Sequence, residues 1–493
     1  MRNNNLAKEE QHKMVDDMIS FLKGQVAELA FKHDASRIVQ TCLKYGNQSH
    51  KDLIAKELSS HYLSLSRAKY GRFIIIKILK YCKAYRSSII KEFYGNVRKL
   101  ICHAQASVVL EEAYSQYADS TQKAFLVQEF FGAEFSLFKD GHENMTLAQI
   151  LKESPNKKET IMKELLHTLS QTMDKHTINH SIVHRALMEY FQNADAAQIQ
   201  DIIGQLKELA VEILHTREGA DVTAKCLLHG SAKDRKAIVK SFKPFVAKIA
   251  KEQYGHVVLL QLFDVVDDTT LVDKNILGEL IKNLGVLLND KFGRRVVAYV
   301  LVGRSQKFIS YATIQKLKEH DPIRAASSKK DPAVRSRELL QCFAQPLIDY
   351  IAEHASSIIR DPFPSQIMTD ALLQPLGDKS KLIDAINSLI AQAGIENDHV
   401  LEHITANRVI KTLISFKDES GAAPYAPGIL AAITPEGLLP RALSRGSFVV
   451  LALLESPTTG SEVRKYLLPN IKQLTGASDA NKGTQLIAKK LSA

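Results

Sequence analysis

Apolar residues recur along this chain in one fixed arrangement, at i, i+1, i+4 and i+5. The arrangement appears first as Ile38, Val39, Cys42 and Leu43 in HDASRIVQTCLK, residues 33–44. Positions four apart share a helical face, so the spacing predicts a helix with one tight apolar stripe. Ser36, Arg37 and Gln40 then lie together on its polar flank. The stripe returns as Ile74, Ile75, Ile78 and Leu79, as Ile182, Val183, Ala186 and Leu187, and as Val258, Leu259, Leu262 and Phe263. It returns again as Val296, Val297, Val300 and Leu301, as Val409, Ile410, Leu413 and Ile414, and as Val449, Val450, Leu453 and Leu454. Fainter copies start at Ala106, Asn144, Ala220 and Ser365.

Taking the first polar position of each copy, eleven copies start at 36, 72, 106, 144, 180, 220, 256, 294, 365, 407 and 447. Successive starts lie 34 to 42 residues apart, except for one gap of 71 between 294 and 365. That gap predicts an insertion around 303–360, and its cluster of Pro, Ser and Lys predicts a mobile, basic loop around 320–336. No long run alternates with period two, so the expected class is all-α. A period in the high thirties with one buried helix per unit describes an α-solenoid, in which each unit hides its stripe only by stacking on its neighbours. The stripes are therefore core, and function belongs on the other face.

Composition adjusts this picture slightly. Of 493 residues, 45% are hydrophobic and 24% charged, which is ordinary for a folded soluble chain. Lys+Arg 65 against Asp+Glu 54 leaves a net charge of +11, a tilt toward a polyanionic partner, nucleic acid before membrane. The five cysteines (Cys42, Cys82, Cys102, Cys226, Cys342) form no C-x-x-C and are expected as reduced, mostly buried thiols of an intracellular protein. No run approaches the roughly 18 apolar residues of a membrane span. The first residues lack the apolar core of a signal peptide, so the chain is expected to be soluble and to stay inside the cell.

Catalytic and metal chemistry find little support. There is no phosphate-cradling Gly loop, no H-E-x-x-H and no G-x-S-x-G, and the paired acids (Glu111 and Glu112, Asp267 and Asp268) read as solvated helix ends or faces. His176, His180 and His184 stand at i, i+4 and i+8, a spacing that could line a zinc site, but no cysteine or well-placed carboxylate completes it. The expectation is a protein that is no enzyme and holds no metal or cofactor.

The segments HDASRIVQTCLKYG, AKYGRFIIIKILKYC, EFFGAEFSLF, HSIVHRALMEYF, SAKDRKAIVKSFK and RGSFVVLALLE resemble Pumilio (PUF) repeats, and more closely those of the Puf-A branch of Pumilio-like proteins. The resemblance covers nearly the whole chain. It implies an L-shaped solenoid of two arms, residues 1–135 with repeats 1–3 and residues 136–493 with repeats 4–11. It also implies a nuclear, nucleolar protein of pre-rRNA processing and large ribosomal subunit assembly, working with pre-ribosomal assembly factors and binding RNA, or double-stranded DNA or RNA, with little regard to sequence. The lysine-rich extension that often precedes this region in the branch is absent, so no targeting signal lies in these residues.

In sequence-reading PUF proteins two side chains of each repeat pair with a base edge and a third stacks on the base. Ser36, Gln40 and the stacker Arg37 match those slots, a combination that in the family implies adenine. Most other slots do not: the pairs include Arg72 and Ile76, Ala106 and Leu110, Ala220 and Ala224, His256 and Leu260, Arg294 and Ala298, and Ser447 and Leu451. An aliphatic side chain leaves the donors and acceptors of a base edge unpaired, which removes the roughly 1–3 kcal/mol of discrimination that a good bidentate contact supplies. Charge remains. Arg37, Arg72, Lys77, Arg294, Arg295, Arg408 and Lys411 lie on or beside the reader positions, with Lys233 and Arg235 nearby. Phe73 occupies a stacker slot, and His180, His184, His256 and Asn407 occupy edge slots. The expected function is RNA binding through a basic face and not through a base code. Two alternatives stay open: a sequence-specific PUF repressor of messenger RNA translation, and an armadillo- or HEAT-like protein-binding scaffold.

Overall fold

The computed structural model describes residues 8–137, 143–392, 394, 398–418, 420–477 and 481–492. Among them the regular structure is helical throughout. Packing divides the chain into two compact units, Met1–Ser241 and Phe242–Ala493.

In the first unit the repeat resolves into three helices rather than one. The opening copy is Val26–Leu29, His33–Tyr45 and Gln48–Glu57; the next is Tyr62–Arg67, Gly71–Tyr81 and Arg86–Phe93. The third is Val97–Ile101, then Ala106–Glu112 continued by a wider turn to Tyr117, then Ser120–Gln128. The striped helix is the middle one each time, and successive middle helices pack on one another. Ile74, Ile75, Ile78 and Leu79, and Ile182, Val183, Ala186 and Leu187, are fully buried. Each such Ile, Val or Leu contributes about 1.5–3 kcal/mol of burial, which no single helix of this length could collect alone. Two stripe positions depart from the pattern: Ile38 is 40% exposed, and Leu454 is half-exposed.

Carboxylates close the first three repeats. Glu57 accepts from the backbone N–H of Gly24 and Val26 at 2.9 and 3.3 Å, Glu92 from Leu63 at 3.0 Å, and Glu129 from Gly95 and Val97 at 2.8 and 3.1 Å. Each carboxylate meets the unpaired N–H groups that open its own repeat's short first helix.

In the second unit the middle helices are Gly255–Val265, Gly293–Val302, Pro364–Leu373, Ile404–Ser415 and Ser447–Glu455. The long gap is an insertion, but most of the loop expected around 320–336 is helical. The insertion folds as helices Tyr311–Glu319, Asp321–Ser327 and Pro332–Glu353. Within residues 320–336 three of the four lysines and arginines form ion pairs, Lys329 staying exposed: Lys330 pairs with Glu338 at 2.6 Å and Arg324 with Asp321 at 3.4 Å. Arg335 is 1% exposed and donates to Asp267 Oδ1 at 2.7 Å, to the Lys330 carbonyl at 2.9 Å, and to the Asp264 carbonyl and Ser328 Oγ. Asp267 also accepts from Ser328 Oγ and the Lys329 N–H, and these donors hold its carboxyl down at about 2 despite partial burial. The long helix also presses on Leu284–Asn289 at Gly285, where a Cβ would meet Tyr350 Oη at 2.6 Å.

The cysteines are free; Cys42, Cys82 and Cys226 are buried, Cys102 is half-buried and Cys342 is exposed. Among the described residues no single helix is long and apolar enough to cross a membrane.

Candidate nucleic-acid interface

The reader slots are mostly filled with core. Ala106, Leu110, Leu260 and Ala298 are fully buried, and Ala220, Ala224, Ser365, Thr369, Ser447 and Leu451 nearly so. Asn144 precedes its helix at a left-handed φ of 59°, since that helix runs Leu147–Glu153 behind the cap of Thr146. A base edge could reach few of these positions.

Several individual assignments need correction. Ser36 is 1% exposed, and its hydroxyl donates to the His33 carbonyl at 2.8 Å, so the opening repeat presents Gln40 and Arg37 without the serine. Arg235 is 4% exposed and donates to the carbonyls of Leu227 and Leu228 at 2.8 and 3.1 Å, capping the C-terminal end of helix Arg217–His229. Asn407 donates its amide to the carbonyls of Leu401 and Arg445 at 2.9 and 3.0 Å and so braces two turns. His184 is fully buried with Nδ1 2.6 Å from Thr216 Oγ1, and His256 lies stacked on Phe292 with Nδ1 3.0 Å from the Glu252 carbonyl. His180 is half-buried just ahead of helix Ser181–Asn193, and His176 sits in a left-handed turn, so the three histidines do not form one ridge.

Burial pushes His184 down to about 3 and His180 and His256 down to about 4, so none is a cation near neutral pH. Each of them takes up a proton near its ordinary value once the chain unfolds. Their stabilising contribution is thus complete above about pH 6.5 and is lost as pH falls from there toward the folded values, at about 1.4 kcal/mol per pH unit for each group. Glu111, whose carboxyl burial raises, opposes this only nearer the carboxylate range. The melting temperature should therefore drop steadily from pH 7 to pH 5. Calorimetry across that range checks it, and a rise on acidification would contradict the assignment.

The remaining predicted residues are cations with a different environment. In the first unit Arg37 and Lys233 are exposed and Lys77 half-buried. Arg72 lies with its guanidinium 4.5 Å from the ring centre of Phe73, which is 43% exposed, and Arg72 Nε is buried without a hydrogen-bond partner. In the second unit Arg294 stacks 3.8 Å from the ring centre of Phe363, Arg295 lies 5.5 Å from that of Phe292, and Lys411 lies 5.6 Å from that of Phe448. Burial, then the charge of Arg294, lowers the Arg295 guanidinium below its ordinary value. Arg408 is exposed. Among the described residues none of Arg37, Arg72, Lys77, Lys233, Arg294, Arg295, Arg408 and Lys411 has a carboxylate within ion-pair distance. In the insertion, by contrast, Arg304, Lys307, Arg324, Lys330 and Arg335 are paired with carboxylates. Sequence reasoning missed the ring partners Phe292 and Phe363, the latter because it lies in the next repeat, beyond the insertion.

A guanidinium resting on an aromatic face keeps its outer N–H groups for phosphate oxygens, and the exposed rings offer stacking surface to bases. The arrangement fits a polyanion with flat substituents, and the buried aliphatic edge slots offer a base edge no hydrogen-bond partner.

Comparison with known proteins finds similarity to Pumilio-like proteins. Residues 25–59 match the model described as Pumilio-family RNA binding repeat, and residues 289–420, including the insertion, match the CPL (NUC119) domain. The chain is 34% identical over 506 residues to Pumilio homolog 3 of Homo sapiens, covering 100% of this chain and 78% of that protein. The crystal structure of human Puf-A superposes with a TM-score of 0.91 at 34% identity, covering 99% of this chain and 97% of the other. That of human Puf-A in complex with DNA superposes with a TM-score of 0.89 at 34% identity, covering 99% and 96%.

Proposed function

Because this chain belongs to the Pumilio homolog 3 (Puf-A) family, we propose that it binds nucleic acid, RNA foremost, with little regard to sequence. The observation that carries this reading is the set of cations at the reader slots, several of them against rings and, among the described residues, without carboxylate partners, beside edge slots filled with core. The DNA complex of the similar human protein supports it. Pre-rRNA processing and large-subunit assembly, the pre-ribosomal assembly factors as partners, and a nucleolar location belong to the same proposal. They rest on the family resemblance, and catalysis has no part in it.

The test is a set of unrelated RNA oligomers of equal length, titrated across a salt series. Affinities should agree within about threefold and fall about a hundredfold or more between 50 and 200 mM salt, because phosphate contacts release counterions whatever the sequence. A thousandfold preference for one short motif would instead establish a sequence-reading regulator. Negligible salt-sensitive RNA binding beside a tight protein partner would establish a scaffold.

A further inference from the structure

Tyr45, Tyr81 and Tyr117 are spaced 36 residues apart. Each closes the middle helix of one of the first three repeats, and all three rings are half-exposed. None of the later middle helices ends in tyrosine.

Each ring carries a cation. Lys44 Nζ lies 4.6 Å from the ring centre of Tyr45 and donates to its Oη at 2.9 Å. Lys51 and Lys80 each place Nζ 5.6 Å from the ring centre of Tyr81. Arg86 lies 4.3 Å from that of Tyr117 and is fixed there, since Nε donates to the Leu79 carbonyl at 2.6 Å and Nη2 to the Lys80 carbonyl at 3.3 Å. Lys51 and Arg86 hold matching places: each comes from the third helix of one repeat and reaches the tyrosine of the next. Two carboxylates stand near: Glu112 bonds to Tyr117, and Asp52 acts on Cys82 together with Lys51 and Arg86.

The cations are crowded. Lys77 is pushed below its ordinary value by burial and then by the charges of Lys44 and Lys80. Among the described residues none of Lys44, Lys51, Lys77 and Lys80 is paired with a carboxylate. A cluster of lysines held together without ion pairs is relieved by a bound polyanion. Rings at one per repeat match the one-base-per-repeat spacing that helical-repeat proteins use on RNA. A duplex, with its bases already stacked inside, cannot offer them to the rings.

We propose that this edge of the first three repeats holds single-stranded RNA, with bases stacking on Tyr45, Tyr81 and Tyr117 and phosphates meeting Lys44, Lys51 and Lys80, while Arg86, tied to two carbonyls, supports the Tyr117 ring. This rests on the nucleic-acid reading above and adds a preference for strand over duplex.

The full chain contains no tryptophan, so Tyr81→Trp installs a single reporter. Its emission should be quenched as a labelled single-stranded oligomer saturates by anisotropy, and should change little with the duplex of the same sequence. The triple variant Tyr45→Leu, Tyr81→Leu, Tyr117→Leu should bind the single strand about tenfold or more weakly, with an unchanged salt slope and duplex affinity within about twofold. The corresponding triple Phe variant keeps the stacking surface and should bind as the parent does. Unchanged indole emission from the Tyr81→Trp variant at saturating RNA, or equal losses for strand and duplex, would overturn the ladder while leaving nucleic-acid binding intact. Failure of the parent chain to bind any RNA would overturn both.

Discussion

Replacing Arg335 with alanine should destabilise the second unit by about 3 kcal/mol, the lower end of the range seen when one partner of a buried, hydrogen-bonded ion pair is removed, because Asp267 is itself 30% exposed. The guanidinium is 1% exposed and joins the Asp264 carbonyl, Asp267, Ser328 and the Lys330 carbonyl. Without it, Asp267 loses its counterion, and two backbone carbonyls lose a donor. Arg337, two positions on, is exposed, and Arg337→Ala should change stability by less than about 0.5 kcal/mol. Urea titration of both variants, followed by circular dichroism, measures the difference. Equal effects would mean that the insertion is not anchored through Arg335.

That anchor shows where the sequence could be read and where composition misled. The stripe helices were legible because burial dictates their spacing, and every full copy falls on a middle helix. Three helices per period were harder to see, since short segments such as Val26–Leu29 carry too few residues to show a period. The insertion carried its own start signals, Asp321-Pro322 and Asp331-Pro332. Proline is favoured in the first helical turn, and Asp331 accepts from the N–H groups of Ala333 and Val334 at 2.9 and 3.1 Å. The surrounding Ser and Lys residues disguised that signal as a loop.

At the interface, a slot's chemistry was legible but its accessibility was not. An aliphatic edge slot offers a base edge no partner wherever it points, so that much was legible directly. Whether an arginine is a ligand or a cap depends on the preceding helix. Arg235 spends its donors on the carbonyls of Leu227 and Leu228, as Arg86 does on those of Leu79 and Lys80. Arg294 rests instead on a ring. Periodicity marks a position on a helix and is silent about what the neighbouring turn leaves unsatisfied.

Arg294→Glu combined with Arg295→Glu should weaken binding to every RNA sequence by about tenfold or more at low salt, whereas Gln40→Ala should change it by less than about twofold. The arginines are half-exposed, adjacent and without carboxylate partners among the described residues, so their charge is available to phosphate and its reversal repels phosphate. Gln40 keeps only its own amide, because the Ser36 hydroxyl that would complete a base-edge pair is turned onto the His33 carbonyl. On a ligand without register, that amide meets whichever base is there. Removing one phosphate neutralisation on a single strand takes about 0.7 from the slope of log affinity against log salt, so the double variant should be shallower by about 1.4. Neutral Arg294→Gln with Arg295→Gln should give the same slope change with a smaller loss of affinity, which separates missing attraction from added repulsion. Fluorescence anisotropy over a salt series provides both numbers, and circular dichroism confirms that each variant is folded. If Gln40→Ala cripples binding while the charge reversal is silent, the opening repeat reads a base and the basic face does not hold the strand.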